Sequence, residues 1–252
     1  MNKSANKFEF PFIKKEKIAK NTYTFYFDRV HVERGLGKRG YAEDFDFIPG
    51  QYLKLYLQIE NPDARGSSRY FTISSSPTDR KFLTITTKII KSSFKKKLHS
   101  LKKGEMVSFY GPLGFFTFNV NSKKPKIFLG GGIGITPYHS ILTSLDYKKN
   151  KAKILLIVFF SLYKDVIFYE ELKKIEKENP NIQIVYTLTR DTKDGFEIGR
   201  ISEEMIRKYS PEFLDSEFFV VGSPVVEEEL FDLVKKMGVS EEKIFKEHFS
   251  GY

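Results

Sequence analysis

The chain has 252 residues, 40% of them hydrophobic, enough for one large domain or two modest ones that each bury a core. It has no cysteine, which excludes disulfides and thiolate-held iron–sulfur clusters, and its 4 histidines show no zinc-site spacing. The net charge of +10 fits nucleic acid, a membrane surface, an acidic protein partner, or simply solvated lysine faces.

The first half reads as antiparallel strands. Thr22 to Phe27 is strand-like. Gln51 to Ile59 alternates, with Leu53, Leu55, Leu57 and Ile59 on one face and Tyr52, Lys54, Tyr56 and Gln58 on the other. Phe82 to Ile90 and Val107 to Tyr110 add short strands between turns, the pattern of a small β-barrel. Val30 to Asp46, rich in glycine and charge, reads as an extended loop, and a short helix is expected around Ser93 to Ser100.

The second half follows another pattern. Strand-like Lys126 to Leu129 meets a glycine loop and a helix from Pro137. Apolar runs Ile154–Phe160, Ile182–Leu188 and Phe218–Val221 alternate with helical stretches near Phe168–Glu178, Ser202–Lys208 and Val225–Met237, and Ile244 to Phe249 forms a last strand. Non-alternating strands between helices predict a parallel sheet covered on both faces. Ile154–Phe160, the longest apolar run, is far short of the about 20 residues that span a bilayer. The predicted fold is therefore α+β with two domains, 1–122 an antiparallel β-barrel and 123–252 a parallel, Rossmann-like α/β domain.

Gly130 to Pro137 follows a strand and opens a helix, with Thr136 placed as cap and Pro137 as first helical residue. Glycines let a backbone approach a pyrophosphate, and helix-start N–H groups favour its charge. The pattern Gly-x-Gly-x-x-Pro departs from the usual dinucleotide fingerprint, so a phosphate loop and a purely structural turn both remain open. Gly222-Ser223-Pro224 repeats the device after a later strand, on the edge where parallel sheets bind ligands. In Arg69-Tyr70-Phe71-Thr72, alternation sends Arg69 and Phe71 to one face and Tyr70 and Thr72 to the other. Arginine can hold a phosphate, an aromatic ring can stack on a flat cofactor, and a hydroxyl can bond a ring nitrogen. An edge strand with an incidental arginine is the plainer alternative.

These motifs, in this order, resemble the ferredoxin–NADP reductase superfamily, whose flavin motif is Arg-x-Tyr/Phe-Ser/Thr. Pro49-Gly50-Gln51-Tyr52, Lys103-Gly104-Glu105, Gly111 to Phe116, Gly130 to Pro137, Leu188-Thr189-Arg190 and Gly199-Arg200-Ile201 extend the resemblance from about Thr22 to the last residue. It implies that Arg69 holds the FAD pyrophosphate, Phe71 packs on the isoalloxazine, with Tyr70 between them, and Thr72 bonds near its N5. Thr86, Thr87 and Lys88 would edge the flavin, and Ser93, Phe94 and Lys95 would open the helix that meets the pyrophosphate. Gly131, Gly132, Ile133, Gly134, Thr136 and Pro137 would face NADP (or NAD), with Ser161, Arg190, Gly222, Ser223 and Pro224 on the same edge. Phe249 or Tyr252 would cover the flavin as an aromatic lid. Val221 stands where many members carry a cysteine, and Ser161-Leu162-Tyr163-Lys164 where an arginine is common.

The resemblance implies an FAD-dependent reductase that takes hydride from NAD(P)H and passes single electrons to a separate ferredoxin or flavodoxin, without a general base. Alternatives are a free-flavin or small-acceptor reductase, or an electron-transfer subunit of a larger enzyme. The +10 charge points to an acidic electron-carrier partner. The short clusters Lys95-Lys96-Lys97 and Lys123-Lys124 resemble no zinc finger or basic zipper, so no nucleic acid is expected. With no signal-like apolar segment at Met1-Asn2-Lys3-Ser4, a cytoplasmic monomer without membrane contact is expected.

Overall fold

A computed structural model describes residues 6–34, 38–41, 45–117, 122–145 and 150–248. The chain forms two compact units that part after Thr117.

The first unit contains β1 (Asn6–Ala19), β2 (Thr22–Asp28), β3 (His31–Arg34), β4 (Lys38–Tyr41), β5 (Tyr52–Tyr56), β6 (Ser68–Thr72), β7 (Phe82–Lys88), α1 (Ser93–Ser100) and β8 (Met106–Leu113). All pairings are antiparallel: β1 joins β2, β3 and β8, β5 joins β6 and β8, and β2 joins β7. A single bridge, from Ile73 just after β6 to Ile85 in the middle of β7, closes the ring as a barrel. Two departures from the sequence reading stand out. Val30 to Asp46 is no continuous loop, because β3 and β4 pair as a hairpin within it. The long strand β1 has no counterpart in that reading, because lysine, glutamate and Pro11 mask its inward phenylalanines.

Phe8, Phe10 and Phe12 alternate into the core and meet Phe25, Phe27, Phe45 and Phe109. Phe109 receives Phe10 and Phe27 edge-on, with ring centroids 5.1 and 4.9 Å away. Each such ring contributes roughly 1.5–3 kcal/mol by leaving water. On β5, Leu53 and Leu55 face this core while Tyr56 is exposed.

The second unit contains β9 (Lys126–Gly131), α2 (Thr136–Ser144), β10 (Ile154–Phe160), α3 (Tyr169–Glu178), β11 (Ile182–Leu188), β12 (Glu197–Ile198), α4 (Glu203–Tyr209), β13 (Glu217–Gly222), α5 (Pro224–Lys236) and β14 (Ile244–His248). Its strands are all parallel, in the order β12-β11-β10-β9-β13-β14. The chain starts in mid-sheet and winds outward in both directions, so the strand order reverses beside β9. Such reversals leave a crevice at the carboxyl ends of the strands. Ile127, Leu129, Ile157, Val185 and Val220 bury one face of the sheet beneath Ile206, Leu230 and Val234.

Candidate functional site

In the first unit the expected site residues converge on the start of α1. Ser92 is the cap, its hydroxyl accepting from the Lys95 backbone N–H at 3.1 Å. Ser93 is the first helical residue, and its hydroxyl donates to Asp63 Oδ2 at 3.1 Å. Arg69 comes from β6 and is buried. Its Nη2 donates to Asp63 Oδ1 at 2.7 Å, and its Nη1 to the carbonyls of Arg65, Gly66 and Ser68. Arg69 thus organises the loop before β6 as well as standing beside the helix start. Asp63, which the sequence reading does not single out, ties Arg69 to Ser93.

The aromatic residues seat the cations. Arg69 Cζ lies 5.1 Å from the Phe94 ring centroid, and Lys95 Nζ lies 4.6 Å from that of Phe71. The Phe71 and Phe94 rings stack at 6.0 Å. Lys95 is only 5% exposed and donates to Thr87 Oγ1. Burial, then the Arg69 and Arg65 charges, push its amine down to about 7. Asp63, Ala64, Arg65, Lys91, Ser92, Ser93 and Lys96 line an open depression of about 400 Å³ at the same end of the helix.

Other expected residues are arranged differently. Tyr70 is 51% exposed on the opposite face, its ring edge-on to Tyr52 at 5.6 Å. Thr72 Oγ1 is buried and lacks a hydrogen-bond partner. Thr86 shares hydrogen bonds with Thr24 and Ser74, and Ser74 with Thr84, in a buried hydroxyl chain. Lys88 ends β7 exposed to solvent.

In the second unit the carboxyl edge gathers the remaining residues. Register sets Gly130 beside Val221 and Gly131 beside Phe159. Gly132 to Ile135 form a 3-10 turn leading straight into α2. Thr136 is therefore already helical rather than a cap, its hydroxyl donating to the Ile133 carbonyl at 2.9 Å, and Pro137 takes the second helical position. At the other start, Ser223 caps α5 and Pro224 is its first residue, as the sequence predicts.

Packing accounts for most of these glycines. A Cβ on Gly134 would lie 3.1 Å from the Val221 carbonyl oxygen, and on Gly130 3.1 Å from both that oxygen and the Tyr138 ring. On Gly131 it would lie 2.3 Å from the Phe159 ring, and on Gly222 2.4 Å from Val226. Gly132 differs, with φ +54° and open space where a side chain would stand. The turn is pinned from below by Tyr138, whose hydroxyl lies 2.8 and 2.7 Å from the carbonyls of Leu129 and Phe219.

Ser161 and Arg190 meet through their backbones, Arg190 N donating to Ser161 O at 2.9 Å. Beside them Tyr163 N donates to Asp191 Oδ2 at 3.0 Å, and Lys193 lies 5.2 Å from the Tyr163 ring. On β14, burial pushes the Glu247 carboxyl up to about 7, and its Oε2 lacks a hydrogen-bond partner. Glu247 pairs in register with Val221, beside the glycine turn. Sequence reasoning assigns Glu247 no role, since a lone glutamate near a terminus gives no signal. Phe249 and Tyr252 lie outside the described residues. No group of three or more metal-ligating side chains occurs among the described residues.

Residues 9–118 match the family model described as Oxidoreductase FAD-binding domain, and residues 128–230 match Oxidoreductase NAD-binding domain. The chain is 29% identical over 218 residues to Flavohemoprotein B of Dictyostelium discoideum, covering 78% of this chain and 50% of that protein. It is 24% identical over 236 residues to NADH-cytochrome b5 reductase 1 of Lodderomyces elongisporus, covering 92% of this chain and 74% of that one. The chain thus spans half the length of the first relative. A ferredoxin NADP+ reductase from Neisseria gonorrhoeae, solved with bound FAD and NADP, superposes with a TM-score of 0.78 at 18% identity over 97% of this chain and 99% of that one. With an FAD-binding domain followed by an NAD-binding domain, the chain belongs with the FAD- and NAD-binding oxidoreductases, and it shares the fold of the ferredoxin NADP+ reductase.

Proposed function

We propose that this chain is an NAD(P)H-dependent reductase that delivers single electrons to a separate ferredoxin- or flavodoxin-like carrier. The observation that carries the reading is the buried, unpartnered Thr72 hydroxyl on the strand that also brings Arg69 and Phe71 to the start of α1. A buried hydroxyl without a partner costs about 1–3 kcal/mol, which a bound acceptor or donor would recover. Thr72 can supply that bond to the flavin ring, Phe71 a stacking surface, and Arg69 with the free N–H groups of Ser93 and Phe94 the pyrophosphate contacts. FAD, when bound, supplies the conversion between a two-electron hydride and single electrons. On the second unit, Gly132 leaves room for a dinucleotide backbone, and Arg190 with Ser161 offers partners for a 2′-phosphate. We therefore expect NADPH to be preferred; an equal or higher kcat/KM with NADH would refute this.

The net charge of +10 favours an acidic carrier. Arg65, Lys91 and Lys96 ring the depression at α1, so part of that charge serves phosphate binding rather than docking. The similarity to a cytochrome b5 reductase and a flavohemoprotein supports a second reading, in which the acceptor is a haem protein. Reduction of ferredoxin, flavodoxin and cytochrome b5 at rising ionic strength tests both, with ferricyanide as control. Carrier turnover should fall steeply above about 0.15 M salt, where the screening length is about 8 Å. Faster reduction of cytochrome b5 than of either acidic carrier would favour the haem reading, and salt-independent turnover would remove the electrostatic one.

A further inference from the structure

Lys95 is a buried amine without a counter-ion. Among the described residues no carboxylate pairs with it, and its one hydrogen-bond partner is the neutral Thr87 hydroxyl. The charged groups around it are cationic or already engaged. From β6 comes Arg69, and from the loop before β6 come Arg65 and Asp63, the latter bonded to Arg69 and Ser93. From β7 comes only Thr87, with Lys88 beyond it in solvent; on its own segment Lys91 and Lys96 are exposed and Lys97 pairs with Glu105. A buried, unpaired amine beside two guanidinium groups is a place where an arriving anion changes what the amine can hold.

We infer that Lys95 takes up a proton when the FAD pyrophosphate arrives, so that formation of the holoprotein is coupled to proton binding. The inference rests on the reading of the α1 start as the flavin-phosphate site. Without ligand, burial and the Arg69 and Arg65 charges hold the amine at about 7, leaving it about half neutral at neutral pH. A pyrophosphate at the same helix start would offset the Arg69 and Arg65 charges and favour the ammonium form against the effect of burial, because unit charges in a poorly screened interior interact strongly over several ångströms. The amine then returns toward an ordinary lysine value and fills. Lys95 would thus supply a charge that the apoprotein need not carry in full. By linkage, affinity for FAD should be highest at low pH and should weaken as pH rises above about 7, by up to about tenfold per unit.

The test is calorimetric titration of FAD into full-length apoprotein in buffers of differing ionisation heat, which counts protons taken up. About half a proton per FAD is expected at pH 7 and nearly a whole one at pH 8, with the dissociation constant weakening in step. Lys95→Met should bind FAD with no proton uptake and a flat pH dependence. Lys95→Arg, charged at every accessible pH, should likewise bind without exchange; if it does not fold, the methionine variant decides. FAD binding with no proton uptake in the wild type, or equal uptake in Lys95→Met, would overturn the inference and leave the flavin reading intact. Apoprotein that binds no FAD at any pH would overturn both.

Discussion

The two helix starts solve similar problems by opposite means. At α1 the site is assembled from side chains: the Ser92 cap, the Arg69–Asp63–Ser93 linkage and the Lys95 amine over Phe71. At the turn into α2 it is assembled by removing side chains, since Gly130, Gly131 and Gly134 each stand where a Cβ would crowd a neighbour. If both starts bind ligands as proposed, affinity at the first should depend on charge and pH. Affinity at the second should depend on shape, because backbone N–H groups carry no titratable proton near neutrality.

Substitutions at the two sites should separate these modes. The largest effect is expected from Arg69→Ala, which removes charged hydrogen bonds and frees the Asp63 loop. FAD retention should weaken by about 1.5–3 kcal/mol, measured by equilibrium titration and by flavin released on heating. Unchanged retention would mean that Arg69 serves the loop alone. Next comes Gly131→Ala, whose new methyl would overlap the Phe159 ring. Destabilisation of about 1–3 kcal/mol in urea unfolding is expected, with partial recovery in the double variant Gly131→Ala, Phe159→Ala. A single variant as stable as the wild type would show that Phe159 swings away freely.

A smaller effect probes the exception to the contrast, the buried Glu247 carboxyl on the backbone-built edge. Its folded value of about 7 lies above the unfolded one, so the native state holds the proton more tightly. The stability this contributes is complete below about pH 4.5 and is lost as pH rises toward about 7. Glu247→Gln should flatten that decline in thermal unfolding scans between those limits. A decline of equal slope in the variant would assign it to other groups.

Legibility in the sequence followed the physics of each region. β10 and β11 were readable to the residue, because a largely buried strand is a mostly apolar run with polar flanks. α1 was equally plain, with Ser92 before it and a buried stripe of Phe94 and Leu98. β1 was not, since its outward lysines and glutamates dilute the alternation and Pro11 argues against a strand. For the site, the Arg69 to Thr72 motif and the glycine turn were visible, but their partners were not. Asp63 reads as one more turn residue, and nothing local tells that Phe159 and Val221 dictate the glycines. Such constraints come from residues distant in sequence, where no periodicity operates.

The barrel closes at Ile73 and Ile85 by one bridge, where its other neighbouring strands share full ladders. Alongside that bridge the hydroxyls of Thr24, Ser74, Thr84 and Thr86 bond to one another. Hydroxyls can rotate and exchange partners, which a backbone ladder cannot do without breaking. Directly after Thr72 the cylinder is therefore joined by one bridge and a set of interchangeable hydroxyl contacts rather than by a ladder. Spreading the barrel there would cost one bridge, whereas spreading it at any full ladder would cost several backbone hydrogen bonds at once.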